Sequence, residues 1–340
     1  MAQQMCLGRG KDDPIMYDII IVGGGPAGMT AALYAARNGK SALVIEKNGF
    51  GGQITHSPRV ENIPGTLSLS GNEFADSMLD QILAQGAEIE FENVISVESL
   101  EEHKVVRTEE GSVFEGRAVI LATGVKHRLL GLEGEQDLIG EGISFCAVCD
   151  GDFYSGKTVC VAGGGNSALQ EAILLSEKCK EVIMLQDLPS FTGESRLQEV
   201  LFAKPNVKKY TQVKITRLHV EEGQLKGVFI RIGGHGPGDF SASRDPFSID
   251  TLVPAHEQPE QEIACDGMFV AVGLIPENKS FTNVASLNDW GYFDSDETCT
   301  TRTPGIFVAG DCRSKQVRQV TTAASDGAVA ALAACRYINT

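Results

Sequence analysis

The sequence contains no run of about 18 apolar residues, so no segment of it can span a bilayer as a helix. Its first 15 residues, MAQQMCLGRGKDDPI, hold no apolar stretch of the kind that drives secretion. They read as an N-terminal extension (1–15) ahead of a first strand. Positive charge is scarce: 29 Lys and Arg against 45 Asp and Glu leave a formal net charge of -16. That balance excludes a general nucleic-acid coat, which needs a basic surface. No second Cys-x-x-Cys exists and the six His are scattered, so a tetrahedral zinc site lacks its ligands and no metal is expected. With no export signal, the expected location is cytoplasmic. In that reducing compartment, clustered cysteines serve catalysis or metal binding and are seldom structural staples.

Glycine, by contrast, is abundant. The chain has 38 in 340 residues, above the usual ~7%, so backbone must turn tightly or approach a ligand closely somewhere. The length suggests two domains of ~150 residues each. Tyr17 to Val22 reads as a strand, and Gly23-Gly24-Gly25-Pro26-Ala27-Gly28 follows it. A helical pattern then runs from Met29 to Asn38, and a second strand from Ser41 to Ile45 ends at Glu46. The same layout recurs: strand Thr158 to Ala162, turn Gly163-Gly164-Gly165-Asn166-Ser167-Ala168, helix to Ser176, strand Glu181 to Leu185. A strand at Ala118 to Leu121 leads into Ala122-Thr123-Gly124, and one at Ile306 to Ala309 leads into Gly310-Asp311. Val320 to Tyr337 is an Ala-rich helix. The expected fold is α/β, with two Rossmann-like (three-layer ββα) dinucleotide-binding domains, the second inserted into the first. Residues 16–125 and 269–340 form the split domain, and 126–268 the inserted one. The latter carries a polar excursion, 233–262, with six acids against Arg244 alone, which reads as a surface loop.

Each glycine motif has a physical task. Gly23 makes the tight turn, Gly25 lets backbone approach a pyrophosphate, and Gly28 lets the helix pack closely. Pro26 and Ala27 lie between them, where the helix N-terminus offers N–H groups to phosphate. Glu46 is placed to bind ribose hydroxyls. In the second unit Gly163, Gly165 and Ala168 hold the same positions. Its second strand, however, runs into Gln186-Asp187-Leu188-Pro189-Ser190-Phe191-Thr192, with no arginine before Arg196. A 2′-phosphate wants arginine there, whereas Asp187 repels phosphate and accepts from a 2′-hydroxyl. NADPH is therefore not the expected donor. NADH stays open, as does a vestigial turn that binds no nicotinamide.

Cys146-Ala147-Val148-Cys149-Asp150-Gly151 is the sharpest signal. Two sulfurs at this spacing can close a redox-active disulfide, and a helix start there would lower a thiol pKa. Asp150 adjoins the pair and can move protons to a leaving thiolate. A zinc half-site and inert thiols are the rival readings. From Arg196 to Arg217, Arg196, Lys204, Lys208, Lys209, Lys214 and Arg217 face one acid, Glu199. This basic island is either a solvated face or a docking site for an acidic electron carrier.

Taken together, these residues resemble the low-molecular-weight (bacterial-type) thioredoxin reductase family. The resemblance runs through Gly23 to Gly28, Gly51-Gly52-Gln53, Val60-Glu61-Asn62-Ile63-Pro64-Gly65 and Ala122-Thr123-Gly124. It continues through the Cys146–Cys149 segment, the second glycine motif, Thr303-Pro304-Gly305-Ile306-Phe307, Ala309-Gly310-Asp311 and Arg318-Gln319-Val320. It implies FAD in the split domain, a homodimer, a domain rotation, and thioredoxin or a similar disulfide protein as partner. By position, Cys149 matches the flavin-facing sulfur, Cys146 the sulfur that attacks the partner, and Asp150 the acid-base. Gly52, Gln53, Asn62, Thr123 and Gly124 match flavin-site positions, as do Gly310, Asp311, Arg318, Gln319 and Val320. The family's NADPH-gripping His-Arg-Arg and later Arg are replaced by Gln186-Asp187-Leu188 and Thr192. The chain is in this respect similar to flavin thioredoxin reductases fed by ferredoxin. The expected activity is a flavoprotein oxidoreductase of the thioredoxin-disulfide reductase type, with ferredoxin favoured as donor. An NADH-dependent reductase, an FAD-dependent dithiol oxidase using oxygen and a non-catalytic flavin redox sensor are the alternatives.

Overall fold

The computed structural model describes residues 16–57, 60–233 and 259–340. The 1–15 extension and residues 234–258 of the polar excursion lie outside the described residues. Six α-helices stand among those described: α1 (Pro26–Arg37), α2 (Gly71–Ala84), α3 (Ala147–Asp150), α4 (Asn166–Ser176), α5 (Ser195–Phe202) and α6 (Val320–Asn339). None is long and apolar enough to cross a membrane. The chain divides into two compact units. One takes in the chain up to Thr55, then Leu69–Lys126 and Ile275–Thr340; the other takes in His56–Ser68 and His127–Leu274.

The first unit is built on the strand Met16–Val22, whose residues Ile19, Ile20, Ile21 and Val22 are all buried. A strand apolar on both faces belongs inside a parallel sheet covered on both sides. It pairs in parallel with Ala42–Ile45 and with Val113–Leu121, which in turn pairs in parallel with Ile306–Val308. Side chains alternate between the two faces. Ile19 and Ile21 pack with alanines of α1 and α6, while Ile20 and Val22 pack with Val97, Val106, Phe281 and Phe293. Helices therefore form one outer layer, and the antiparallel strands Val94–Ser99 and Lys104–Thr108 belong to the other side. Small residues let α1 and α6 approach closely: a Cβ on Gly327 would lie 2.1 Å from the carbonyl oxygen of Ala27. The helix α2 is started by Ser70 and Glu73, each accepting the other's backbone N–H.

The second unit repeats the design. Five parallel strands run in the order Val207–Tyr210, Glu181–Leu185, Thr158–Ala162, Gly267–Val270, Ile143–Ser144. Val159, Val161, Val182 and Met184 pack with residues of α4 and α5 on one face. Cys160, Ala162, Ile183 and Leu185 pack with the antiparallel strands Val213–Glu221, Gln224–Ile232 and Gln261–Ala264 on the other. Both units are thus three-layered α/β folds of the expected dinucleotide-binding kind.

The duplication extends to backbone angles. Gly23 and Gly163 have φ of +112° and +125°, and a Cβ on either would lie 2.3 or 2.5 Å from the carbonyl oxygen of Ala122 or Ala271. Only glycine tolerates that conformation beside that oxygen. One expectation needs correction. The excursion does not stay a loop to Glu262, because Gln261–Ala264 joins the antiparallel sheet against Gly227 to Ile230. The two of its acids that lie among the described residues have local partners: Glu260 takes Arg217 and Arg231, each at 3.0 Å, and Glu262 takes His219.

Candidate active site

Cys146 and Cys149 are joined as a disulfide with a Cα–Cα distance of 5.3 Å. The segment leaves the strand Ile143–Ser144 and turns at once into the single-turn helix α3, whose N-cap is Cys146. The Cys149 N–H donates to Cys146 Sγ at 3.2 Å. A backbone donor aimed at a sulfur is a contact that favours negative charge on it. Both sulfurs belong to partly exposed residues, and Val148 between them is 53% exposed.

Behind the pair the structure is polar and closed. Ser144 Oγ donates to Asp150 Oδ2 at 2.6 Å and accepts the Cys146 N–H at 3.1 Å. Asp150 is 8% exposed, and its Oδ1 has no partner among the described residues. Burial raises the Asp150 pKa, and the Ser144 hydrogen bond pulls it back. Glu171 of α4 accepts the Ala147 N–H. Its pKa is pushed up to about 7, by burial first and the charge of Asp150 second, against the Ala147 bond. Asn62, expected near a flavin, has its side-chain amide 3.9 Å from Cys149 Sγ.

The first glycine turn gathers most of the other expected residues at the carboxyl ends of the parallel strands, where open α/β sheets bind ligands. Gly25 caps α1 with no side-chain hydrogen bond, and a Cβ there would meet only the carbonyl oxygen of Gly51, at 4.0 Å. Pro26 and Ala27 open that helix. Glu46 receives the Gly24 N–H at 2.7 Å and the Asn48 N–H at 2.9 Å, which fixes its carboxylate against the turn. Gly52 and Gln53 are exposed and begin the short helical turn after Gly51. Thr123 donates to Asn278 at 2.8 Å, and Gly124 follows with φ of +66°.

On the C-terminal side, the Gly310 N–H donates to Asp326 at 3.1 Å. Asp311 Oδ1 is buried and has no partner among the described residues, and burial raises its pKa against the pull of Lys315 and Arg318. Arg318 lies 4.3 Å over the Tyr292 ring and donates to the carbonyl of Asp311 at 3.3 Å. Gln319 caps α6, and Val320 is its first residue. An open glycine cradle and an unsatisfied buried carboxyl fit a dinucleotide with a polar chain between its rings.

Sequence reasoning missed several residues that hold these sites. Asn278 is fully buried and donates to the carbonyls of Gly291 and Cys312 while accepting from Thr123. Asp326 is held by Arg313 at 2.8 Å and Lys315 at 3.0 Å. Ser144 and Glu171 were likewise unmarked, since neither stands in a recognisable spacing with the cysteines.

The second glycine turn is packed by its own chain. Gln186 is 3% exposed, and a Cβ on Gly164 would lie 2.4 Å from its amide nitrogen. The N–H groups of Thr192 and Gly193 both donate to the Gly164 carbonyl at 2.9 Å. Asp187 is exposed just past the strand, and Arg196 lies in α5. The basic island is partly neutralised: Lys204 pairs with Glu177 at 3.6 Å, Lys208 with Glu181 at 2.6 Å and Arg217 with Glu260.

Comparison with known proteins agrees with this geometry. The profile of the pyridine nucleotide-disulphide oxidoreductase family matches residues 17–327. A thioredoxin reductase of Bacillus subtilis (strain 168) is 36% identical over 324 residues, 95% of each chain. A 34.2 kDa protein in the rubredoxin operon of Clostridium pasteurianum is 35% identical over 322 residues, 94% of this chain and 97% of that one. Among solved structures, the thioredoxin reductase of Streptococcus pyogenes MGAS5005 superimposes with a TM-score of 0.84 at 33% identity. That match covers 96% of this chain and 99% of that one.

Proposed function

The chain belongs to the pyridine nucleotide-disulphide oxidoreductase family, with thioredoxin reductases among its relatives, and from that membership we propose that it is a flavin-dependent disulfide reductase acting on thioredoxin or a thioredoxin-like protein. The observation that carries this reading is the accessible Cys146–Cys149 disulfide backed by buried Asp150. In the reduced pair, the Cys146 thiolate attacks one sulfur of a partner disulfide. A mixed disulfide forms and the partner's other sulfur leaves. Cys149 then attacks Cys146, the Cys146–Cys149 bond reforms, and the second partner sulfur is released. Two electrons leave the dithiol and two protons end on the partner. Asp150, with its raised pKa and its Ser144 bond into the turn, is the residue that holds a proton for a leaving thiolate.

FAD would be held at the first glycine turn, where Gly23 and Gly28 shape the turn, Gly25 leaves room for its pyrophosphate and Glu46 is placed for its ribose, with Asp311 and Gln319 among the residues that would line its site. When bound, FAD supplies the two-electron redox chemistry that regenerates the dithiol. The donor reading is ferredoxin or another one-electron carrier. The exposed Asp187 where NADPH would bring a 2′-phosphate supports it, as does the lack of arginine before Arg196. Asp187 also supports a second reading, NADH, because its carboxylate can accept from a ribose 2′-hydroxyl. The test is anaerobic reduction of the purified holoenzyme by NADH, NADPH and reduced ferredoxin, followed by flavin absorbance. Bleaching by ferredoxin alone is the expected result, and rapid bleaching by micromolar NADH reverses the choice of donor.

A further inference from the structure

Two carboxyls from different elements close on the one-turn helix that carries the dithiol. Asp150 is on the helix itself and reaches it through Ser144. Glu171 comes from α4, 24 residues along the chain from Ala147, and accepts the N–H of Ala147, the peptide group directly after Cys146. Its position places a potential negative charge one peptide unit from the sulfur that must itself become negative. Two adjacent anions in a partly desolvated site disfavour each other.

We propose that Glu171 is a positioning residue for the dithiol: its hydrogen bond fixes the Ala147 peptide, and its ionisation and that of Cys146 oppose each other. The proposal rests on the pair being redox-active, as argued above. A pKa near 7 for Glu171 puts this opposition within the working range of such an enzyme.

Of the other groups packed around α4, Asp150 is the one that can change charge together with Glu171, and the rest are neutral, paired or turned away. Asp150 faces it from α3 and is already raised by burial. Tyr154, after α3, is pushed up to about 12 by burial and stays neutral. Asp152 is engaged by Lys178, and Glu181 at the start of the next strand by Lys208. Cys160 lies in the cluster on the other face of the sheet, and Arg196 and Glu199 of α5 are exposed.

The experiment follows alkylation of Cys146 by iodoacetamide in the holoenzyme reduced with a dithiol reagent, which gives up two electrons and two protons and becomes a cyclic disulfide. Rates are read by peptide mass spectrometry from about pH 5 to 9. The wild type is expected to show two inflections, the lower near pH 7. Glu171→Gln keeps an acceptor for Ala147 but cannot ionise. It should alkylate roughly fivefold faster than wild type near pH 8 and within about twofold of it near pH 6. Glu171→Asp, which keeps a titrating carboxyl, should stay closer to wild type at pH 8. Equal rates for wild type and Glu171→Gln near pH 8 overturn the proposal, and so does the same acceleration at both pH values. If Glu171→Gln does not fold, a single inflection in the wild type overturns it by itself. A Cys146 no more reactive after reduction than before instead defeats the disulfide-reductase reading.

Discussion

Buried carboxyls at the dithiol make the chain's stability depend on pH in a direction opposite to that of salt-bridged acids. Glu171 has a folded pKa of about 7 against an ordinary value of 4.5. Its contribution to stability is therefore fully present below about pH 4.5 and is lost as pH rises through about 7, where the folded state must ionise it in place. The size is on the order of 3 kcal/mol. Asp150 shifts in the same direction and adds to the trend. Denaturant unfolding of wild type and Glu171→Gln at pH 5 and pH 8 checks this. Wild type should lose stability relative to the variant on going to pH 8, and parallel curves would defeat the assignment. Catalysis divides differently. Asp150→Asn keeps an oxygen for Ser144 but no exchangeable acid, so kcat for partner disulfide reduction should fall ~100-fold. Cys146→Ser should abolish it, as measured with a thioredoxin substrate. The cysteines and Asp150 were legible because they are consecutive in the chain. Glu171 was not, because its contact exists only once α4 has packed beside α3.

At the scale of elements, the two glycine turns are where the sequence speaks most directly of geometry. A Cβ on Gly28 would sit 1.9 Å from the carbonyl oxygen of Gly23, a backbone atom of the turn itself. Nothing flexible can yield, so Gly28→Ala should cost about 3 kcal/mol and lower the FAD retained per chain. Gly39 is the control: φ is +72° with nothing within 4 Å of its Cβ position, so Gly39→Ala should cost only about 1 kcal/mol. Thermal unfolding together with flavin content of the purified variants measures both, and equal losses would contradict the steric argument. A further cost attaches to Asp326, which neutralises Arg313 and Lys315 in the interior. Asp326→Ala leaves those cations unpaired and should destabilise the unit by about 3 to 5 kcal/mol in the same unfolding assay. The parallel strands Met16–Val22, Val113–Leu121, Thr158–Ala162 and Ile306–Val308 were readable from apolar runs leading into glycine, whereas Val207–Tyr210, Gly267–Val270 and Ile143–Ser144 were not. The antiparallel layer at Val213–Glu221 and Gln224–Ile232 was not readable either. Its strands mix charged and apolar residues, and what identifies them is cross-strand pairing and the cluster beneath.

For the whole molecule, charge is the property that decides what can approach it. A net charge of -16 repels an acidic electron carrier at long range, so any docking must rely on local cations. The stretch from Arg196 to Arg217 looked in sequence like six such cations. Folding brings Glu177, Glu181 and Glu260 beside Lys204, Lys208 and Arg217 from sequence positions 27, 27 and 43 residues away. These pairings could not be read from the island itself. Arg196, Lys209 and Lys214 have no acidic partner among the described residues, and all three are exposed. If an acidic one-electron carrier uses this unit, those three residues do the steering. The triple variant Arg196→Glu, Lys209→Glu, Lys214→Glu should slow flavin reduction by reduced ferredoxin about tenfold at low salt, with the gap narrowing as ionic strength rises. Stopped-flow rates at two salt concentrations test this. Cys146 alkylation should be unchanged in the same protein, because the dithiol turn is untouched. A rate equal to wild type at low salt would show that the carrier docks elsewhere. A loss that salt does not relieve would mean that the substitutions had damaged the fold rather than the encounter.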